Sequence, residues 1–512
     1  MEDEIKERNR KRAEIWALKS FRDRSGLEME EEMKELMIRI DTYFHSTKAP
    51  KLWEWIVLGI LISIPFLSYF YGDTLSIVNY EVNFMGAVKN GGGWTSYYEY
   101  MKYLVESDPF GFGTQNYAYA TYDFPMYIVL GIWGIPLWIL FGAKGLDANA
   151  SYLAKIYGKS VLLAALVVST VLVYAICREI RLSTQQAAWG AFLFASSMCV
   201  FTAIGINGQT DILGIPFILL GLRDYIKHRR VWFVLWFMIA VMFKMYAFFI
   251  YAPLLLLAEK KLWKIGGSVL AVWALKVVQA VIFPSHSPAM LIKQQFELDI
   301  YNRLTVNRIP FVNGDVPTPL ILIVLLCVYC YLHEKIESEE EFQKYAVWIP
   351  MTAMIGLFIS FESSSYWYLH LCPYLSIMLV YNTKNLKNNV LFETVGLIAI
   401  TLSNFGSRPW AFEIYGCHTM LLEKIFGDYN AVQEVYLLND FAHRISIVKY
   451  VGALNVVFIV SLLVFVWMNL PGKIGQETET SIRGYAYVRL LSNVAVAYIP
   501  LILFVYNLLC LK

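Results

Sequence analysis

The chain has 512 residues, of which 57% are hydrophobic and 16% are charged, and its mean hydropathy is +0.49. A soluble globular protein carries about a quarter charged residues, so the composition excludes that class and predicts an all-α polytopic membrane protein. The formal net charge of only +2 gives no basis for binding nucleic acid.

The first 52 residues carry 12 basic and 12 acidic side chains, with apolar residues at helical spacing. A cleavable secretion signal would be short, with one apolar core behind a basic start, so this pattern does not fit one. We predict a cytoplasmic amphipathic helical segment at residues 1–52. The alternative is a solvated tail that leads into the first span, and the balanced charge gives little attraction to lipid headgroups.

Loop charge predicts the topology, because short loops rich in Lys and Arg stay cytoplasmic. Placing the basic loops inside puts the first span at about 53–71, running outward, and gives about 13 spans with the N-terminus in the cytoplasm and the C-terminus outside. We expect a transmembrane core at 53–380 and further helices at 381–512, with an outer loop at 405–448. The four basic loops are "CREIRL" (177–182), "RDYIKHRR" (223–230), "EKKLWK" (259–264) and "NTKNLKNN" (382–389).

A long first outer loop, residues 72–155, is rich in Tyr, Trp and Gly and also carries acidic side chains, among them Asp73 and Asp123. Amphipathic aromatic side chains favour the bilayer interface, and aromatic rings are also common partners for the faces of sugars. A carboxylate beside an apolar wall is partly desolvated, which raises its pKa and makes it a better base near neutral pH. The acids among the rings therefore favour a binding or catalytic surface over an interfacial belt alone.

Residues 125–143, "PMYIVLGIWGIPLWILFGA", resemble a span but would break the topology by placing two basic loops outside. Gly131, Gly134 and Pro136 also interrupt the segment as a helix. We predict a re-entrant or interfacial helix. The alternative is an ordinary span accompanied by a second span elsewhere.

Residues 231–258 lie between two basic loops, so both ends belong inside and the segment is predicted to form a hairpin. Each arm has only about 13 residues, which is short for a crossing, so the tip would hold Lys244 in the outer half of the membrane. Ionisable groups at that depth are costly and usually functional. The topology thus predicts that one membrane face, the outer one, carries Asp73, "YDFP" (122–125), "NGQTD" (207–211) and Lys244. Further outer turns contain "FESSSYWYLH" (361–370) and "SRPW" (407–410).

Five elements follow one another in the chain: "GD" after the first span, the long outer loop, "YDFP", "GQTD" and "FK". Their order resembles that of the GT-C class of membrane glycosyltransferases, whose bacterial members use polyprenyl-phosphate sugars. The resemblance covers about residues 53–380. It implies a GT-C fold with juxtamembrane helices in the first outer loop, and a hexosyltransferase, such as a mannosyltransferase of the cell envelope, acting at the outer face of the cell membrane. Its partners would be a polyprenyl-phosphate-linked sugar donor, a glycan, lipid or protein acceptor, and membrane lipids.

The resemblance implies inversion at the anomeric carbon, with Asp73 as the general base and a cation at the leaving phosphate. Two departures affect the other site residues. "YDFP", with Tyr122 and Asp123, stands where Tyr-Pro-Pro is usual. Glu362 and His370 are separated where many bacterial relatives carry a His-Glu-Arg element. The candidate cations are therefore Lys244, Arg408, Arg303 and Arg308.

Structural alternatives stay open for several of these residues. Asp73 is also a plausible helix-end acid, Gln209 and Asp211 could tie the third outer turn to the first loop, and Lys244 could pair with Asp211. A secondary transporter or lipid flippase, using Lys276, Lys244 and the helix break at Pro136, is the alternative function, and a non-catalytic scaffold is a third. No spacing of His, Cys or carboxylates demands a metal, and no cofactor is expected.

Overall fold

The structure is a computed structural model that describes most of the chain. Most of the predicted 1–52 segment and most of the predicted 405–448 loop lie outside the described residues. The described residues are 34–35, 37–114, 117–142, 151–312, 314–408, 417–418, 425, 438–477 and 480–510.

The first half of the chain is helical, and the predicted outer loop carries helices of its own. Helix α2 begins directly after the first apolar helix, so Asp73 lies in its first turn. The helices are α1 (Leu52–Ser68), α2 (Gly72–Asn90), α3 (Tyr97–Ser107), α4 (Phe124–Trp133), α5 (Ile135–Phe141), α6 (Tyr152–Glu179), α7 (Thr184–Ala195), α8 (Met198–Val200), α9 (Ile215–Ile226), α10 (Arg230–Phe243) and α11 (Tyr246–Ala258). Short 3₁₀ turns occupy Trp94–Ser96 and Thr210–Gly214, and a π-helical turn continues α8 over Phe201–Ile206.

The described residues of the second half are also mostly helical. Its helices are α12 (Leu262–Ile282), α13 (Pro288–Leu304), α14 (Thr318–Leu332), α15 (Glu339–Phe358), α16 (Cys372–Tyr381), α17 (Leu386–Ser407), α18 (Leu438–Arg444), α19 (Ile447–Met468), α20 (Arg483–Ala497) and α21 (Ile499–Cys510), with 3₁₀ turns at Ser365–His370, Thr383–Asn385 and Pro471–Lys473. Two small antiparallel pairs join β1 (Phe70–Tyr71) to β4 (Cys417–His418) and β2 (Arg308–Ile309) to β3 (Val316–Pro317).

Several helices are long and apolar enough to cross a membrane, as the composition predicts. Within the described ranges, four single helices meet that test, namely α6, α12, α17 with the turn before it, and α19. The number rises to seven if each of three bent helix pairs is one span, and α1, α10, α11, α14 and α16 are shorter apolar helices. The chain is therefore an all-α protein with the helices of a membrane protein.

Two predicted irregular segments are present in the structure. Helices α4 and α5 occupy the segment 125–143 and meet at an angle of 63° at Gly134, which fits either a broken span or a re-entrant loop. Helices α10 and α11 form a hairpin of 14- and 13-residue arms that breaks at Lys244 and Met245. The backbone of Lys244 is extended, so the hairpin tip carries this side chain out of both helices.

The buried side chain of Lys159 on α6 fixes how the first and third apolar segments meet. Its Nζ donates hydrogen bonds to the carbonyl oxygens of Phe66 (3.1 Å), Tyr69 (2.8 Å) and Gly205 (2.6 Å). These carbonyls lie where α1 ends and where the π-helical turn ends, which are places where backbone oxygens lack helical partners. This lysine therefore brings the start of α2 close to residues 207–211.

Candidate functional site

A cavity of about 660 Å³ opens where the start of α2, the 207–211 turn and the α10–α11 hairpin tip meet. Its size falls in the range of about 300–1,000 Å³ that is usual for small-molecule sites. The predicted site residues on its wall are Asp73, Tyr122, Asp123, Gln209, Asp211 and Lys244. Residues from α12 and α13 also line the cavity, among them Trp273, Lys276, Phe296, Glu297, Ile300 and the predicted cation Arg303.

Asp73 is partly exposed to this cavity and is oriented by one strong hydrogen bond. Gln209 Nε2 donates to Asp73 Oδ2 over 2.6 Å. Burial raises the pKa of the Asp73 carboxyl and the negative charge of Asp211 adds to this, whereas Gln209 and Lys244 oppose it. The net effect is a raised pKa, which makes Asp73 a stronger base once ionised.

Asp211 is almost fully buried behind Asp73 and is held in its charged form by two partners. Lys244 Nζ lies 3.0 Å from Asp211 Oδ1, and His370 Nε2 lies 3.4 Å from the same oxygen. Burial by itself would raise the pKa of Asp211, but Lys244 and His370 together outweigh it, so that pKa is lowered. Asp211 is thus a buried anion that fixes the hairpin lysine, as the structural alternative for this pair predicts.

Lys244 also contacts an aromatic side chain of the first outer loop. Its Nζ lies 5.6 Å from the centre of the Tyr122 ring, within the distance at which a cation is attracted to an aromatic face. The hairpin tip is therefore anchored to both the 207–211 turn and the "YDFP" element.

Asp123 belongs to a second charged cluster on the same cavity, formed with α12 and α13. Lys276 forms an ion pair with it, Lys293 Nζ lies 3.0 Å from its Oδ1, and Gln279 Nε2 donates to that oxygen over 2.7 Å. Both lysines also contact Glu297, at 3.5 Å and 2.5 Å. Burial would raise the pKa of Asp123, but Lys276 and Lys293 more than offset it, so the pKa is lowered.

The remaining predicted residues are not on the cavity wall. Arg408 and Glu362 form an ion pair with one another at 2.5 Å, and Arg408 also donates to the carbonyl oxygen of Ser363. Arg308 donates to Thr305, both to its carbonyl oxygen (2.5 Å) and to its hydroxyl (3.3 Å). His370 does not line the cavity but contacts two residues of its wall, Asp211 and Tyr246.

The sequence prediction did not include Lys293, Gln279 and Glu297 in the site, and it named Lys276 only for transport. A signal for two of them was present, because Lys276 and Gln279 are polar side chains three residues apart in the otherwise apolar second half of α12. In the part of the chain that the structure describes, no group of three or more His, Cys, Asp and Glu side chains is arranged to hold a metal ion.

The arrangement places the partly exposed Asp73 carboxylate, an aromatic wall and several cations around one cavity. Such a set can take a proton from a bound hydroxyl and offset negative charge that develops nearby. Comparisons of the chain with protein-family models, with curated proteins and with solved structures gave no match.

Proposed function

We propose that this chain is an integral membrane glycosyltransferase that transfers a hexose from a polyprenyl-phosphate donor to a glycan, lipid or protein acceptor. The observation that carries the proposal is Asp73, a carboxylate of raised pKa on the wall of a 660 Å³ cavity that also holds cations. On this proposal the fold is of the GT-C type with about 13 spans. The N-terminus is cytoplasmic and the cavity faces the outer side of the cell membrane.

Asp73 acts in this mechanism as the general base. Gln209 holds Oδ2, so Oδ1 is the oxygen that takes the proton of the acceptor hydroxyl. The hydroxyl oxygen attacks the anomeric carbon and forms the new glycosidic bond, while the bond from that carbon to the phosphate oxygen breaks. The polyprenyl phosphate leaves with the electron pair, and the configuration at the anomeric carbon inverts.

The leaving phosphate needs a cation to offset the charge that grows as the bond breaks. Lys244 is the predicted partner, but its 3.0 Å ion pair with buried Asp211 favours a role in positioning. We assign the phosphate instead to Arg303, which lines the same cavity and whose partner Asp299 is exposed, and only secondarily to Lys276, which is itself paired with Asp123. Trp273, Phe296 and Ile300 beside them supply the apolar surface that the first part of a lipid tail requires.

The test is sugar transfer by the purified chain in lipid vesicles, supplied with a set of polyprenyl-phosphate sugars and candidate acceptors. Asp73→Asn keeps the shape and removes the base, so turnover should fall by about 10²–10⁴-fold. Asp315→Asn, which changes an exposed carboxylate off the cavity wall, should leave turnover near the parent rate, since it touches no reacting group. Undiminished transfer by the Asp73→Asn variant would overturn the assignment of the base.

The same vesicles discriminate the transporter alternative. The 63° bend between α4 and α5 and the Lys276–Asp123 ion pair would also suit a substrate path. Movement of a labelled lipid-linked sugar across sealed vesicles, without transfer from any donor, would replace the transferase proposal with transport.

A further inference from the structure

A second cavity, of about 780 Å³, lies at the other end of the α10–α11 hairpin from Lys244. It is bounded by the start of α10, the end of α11 and the first part of α12. The two cavities share no lining residue. Along α10 the nearest lining residues, Leu235 and Val241, are six residues apart, which is about 9 Å of helix at about 1.5 Å per residue. The second cavity is therefore a distinct space lined by its own residues.

The walls of this cavity are apolar and leave open space. Val231, Val234, Leu255 and Ala271 line it, and Gly267 forms part of the α12 side. A Cβ added at Gly267 would meet no heavy atom within 4 Å. The space is thus suited to a hydrocarbon chain.

The rim of the cavity carries a surplus of positive charge. Arg230, Lys264 and Lys335 line it together with one carboxylate, Glu259, which gives three positive charges against one negative and a surplus of +2. Glu259 lies 2.9 Å from Arg230 and 3.8 Å from Lys264. His228, also at the rim, contacts Glu339 at 3.0 Å.

An apolar slot beneath a cationic rim is complementary to an anionic amphiphile. A free inorganic anion would not use the walls, and a purely apolar protein helix would not use the surplus charge. Basic pockets between membrane helices bind the headgroups of anionic lipids. We propose that this cavity binds an anionic phospholipid, with its headgroup on Arg230, Lys264 and Lys335 and an acyl chain between α10 and α12. The proposal does not depend on sugar transfer.

The test uses the purified full chain, supplied with equal amounts of phosphatidylglycerol and phosphatidylcholine, with retained lipid counted by native mass spectrometry. The parent should retain phosphatidylglycerol in several-fold excess. The triple variant Arg230→Gln, Lys264→Gln, Lys335→Gln should lose that preference and retain the two lipids about equally. The matched control is Arg181→Gln, Lys384→Gln, Lys387→Gln, which removes one Arg and two Lys that are exposed and lie off the cavity wall. Equal retention of the two lipids by the parent, or equal losses in both triples, would overturn the proposal.

Three further variants guard against a loss that comes only from misfolding. Gly267→Phe fills the slot and should lower retention of phosphatidylglycerol, whereas Gly266→Phe, in equally open space but off the cavity wall, should not. Glu259→Gln removes the competing carboxylate and should raise retention above the parent level. Unchanged retention in Gly267→Phe, or lowered retention in Glu259→Gln in a variant with the parent melting temperature, would show that the lipid does not occupy this cavity.

Discussion

Gln209 and Asp73 lie 136 residues apart in the chain, and Gln209 Nε2 donates a 2.6 Å hydrogen bond to Asp73 Oδ2. A hydrogen bond to a carboxylate stabilises its charged form and lowers its pKa, which here opposes the larger effect of burial. The proposed base therefore has a pKa that is raised, but less than burial alone would raise it. Among the side chains around Asp73, Gln209 opposes the effect of burial most strongly.

The variant Gln209→Met should shift the pH dependence of transfer toward alkaline pH. Without the amide donor, the pKa of Asp73 rises further, so a higher pH is needed to ionise the base and the ascending limb of the pH–rate profile moves up. The profile of kcat/KM measures this. Gln279→Met, which removes a hydrogen bond to Asp123 instead, should leave that limb in place, and an unmoved limb in the Gln209 variant would contradict the role of Asp73.

The variant Gly208→Ala should disrupt the turn that carries Gln209. Gly208 has φ +60, and a Cβ there would lie 2.6 Å from Thr74 Oγ1 and 3.1 Å from Lys159 Cε. Left-handed backbone at a residue other than glycine costs on the order of 1–3 kcal/mol, and the contact with Thr74 adds to it. We expect a lower melting temperature and a loss of transfer.

Gly72→Ala is the matched control for this variant. It also adds one methyl group beside Asp73, but nothing lies within 4 Å of the new Cβ. It should keep both stability and transfer near the parent values. Equal effects of the two substitutions would mean that the turn geometry at Gly208 is unimportant.

The sequence was sufficient to place Asp73, Gln209, Asp211 and Lys244 together, because each stands where an apolar segment ends and loop charge puts those ends on one face. The hairpin followed from the same reasoning, since its two basic flanks and short arms allow no other path. Secondary structure at these ends is irregular, with 3₁₀ and π-helical turns next to the site.

The pairing of charged side chains could not be predicted in the same way. Arg408 and Glu362 were both candidates for substrate, and in the structure they pair with each other. Lys276 and Asp123 are 153 residues apart, and nothing in a linear pattern says that they meet. The number of continuous spans was equally beyond the sequence, because hydropathy detects apolar segments and not the bends that divide them.

The variant Glu81→Met should raise the melting temperature of the protein at neutral and alkaline pH. Glu81 on α2 is fully buried, and neither carboxyl oxygen has a hydrogen-bond partner among the described residues. Burial raises its pKa well above the usual value. An unsatisfied buried polar group costs about 1–3 kcal/mol, which the unbranched apolar Met avoids.

The stabilisation by Glu81→Met depends on pH because the pKa of Glu81 differs between the folded and unfolded states. The folded state holds the Glu81 proton more tightly than the unfolded state, so stability is greatest below the unfolded pKa and is lost as pH rises toward the folded pKa. The gain in melting temperature from Glu81→Met should therefore be larger at pH 8 than at pH 4. Glu334→Met, at an exposed position, should show no such trend, and a gain that is independent of pH would contradict a buried neutral carboxyl.

Arg489 on α20 and Glu393 on α17 form an ion pair, and replacing either residue alone should destabilise the protein far more than replacing both. Both side chains are fully buried, with Nε–Oε2 at 2.8 Å and Nη2–Oε1 at 2.6 Å, and Nη1 donates to the carbonyl oxygen of Leu193 over 2.9 Å. Removing one partner leaves an unpaired buried charge and should cost about 3–5 kcal/mol.

The double variant Glu393→Leu, Arg489→Met should recover most of this loss but not all, because the Leu193 carbonyl loses its donor. Melting temperatures in mild detergent measure the effect. Breaking the exposed Lys102–Glu106 pair by Lys102→Met should leave the melting temperature nearly unchanged, and additive losses in the double variant would refute the coupling.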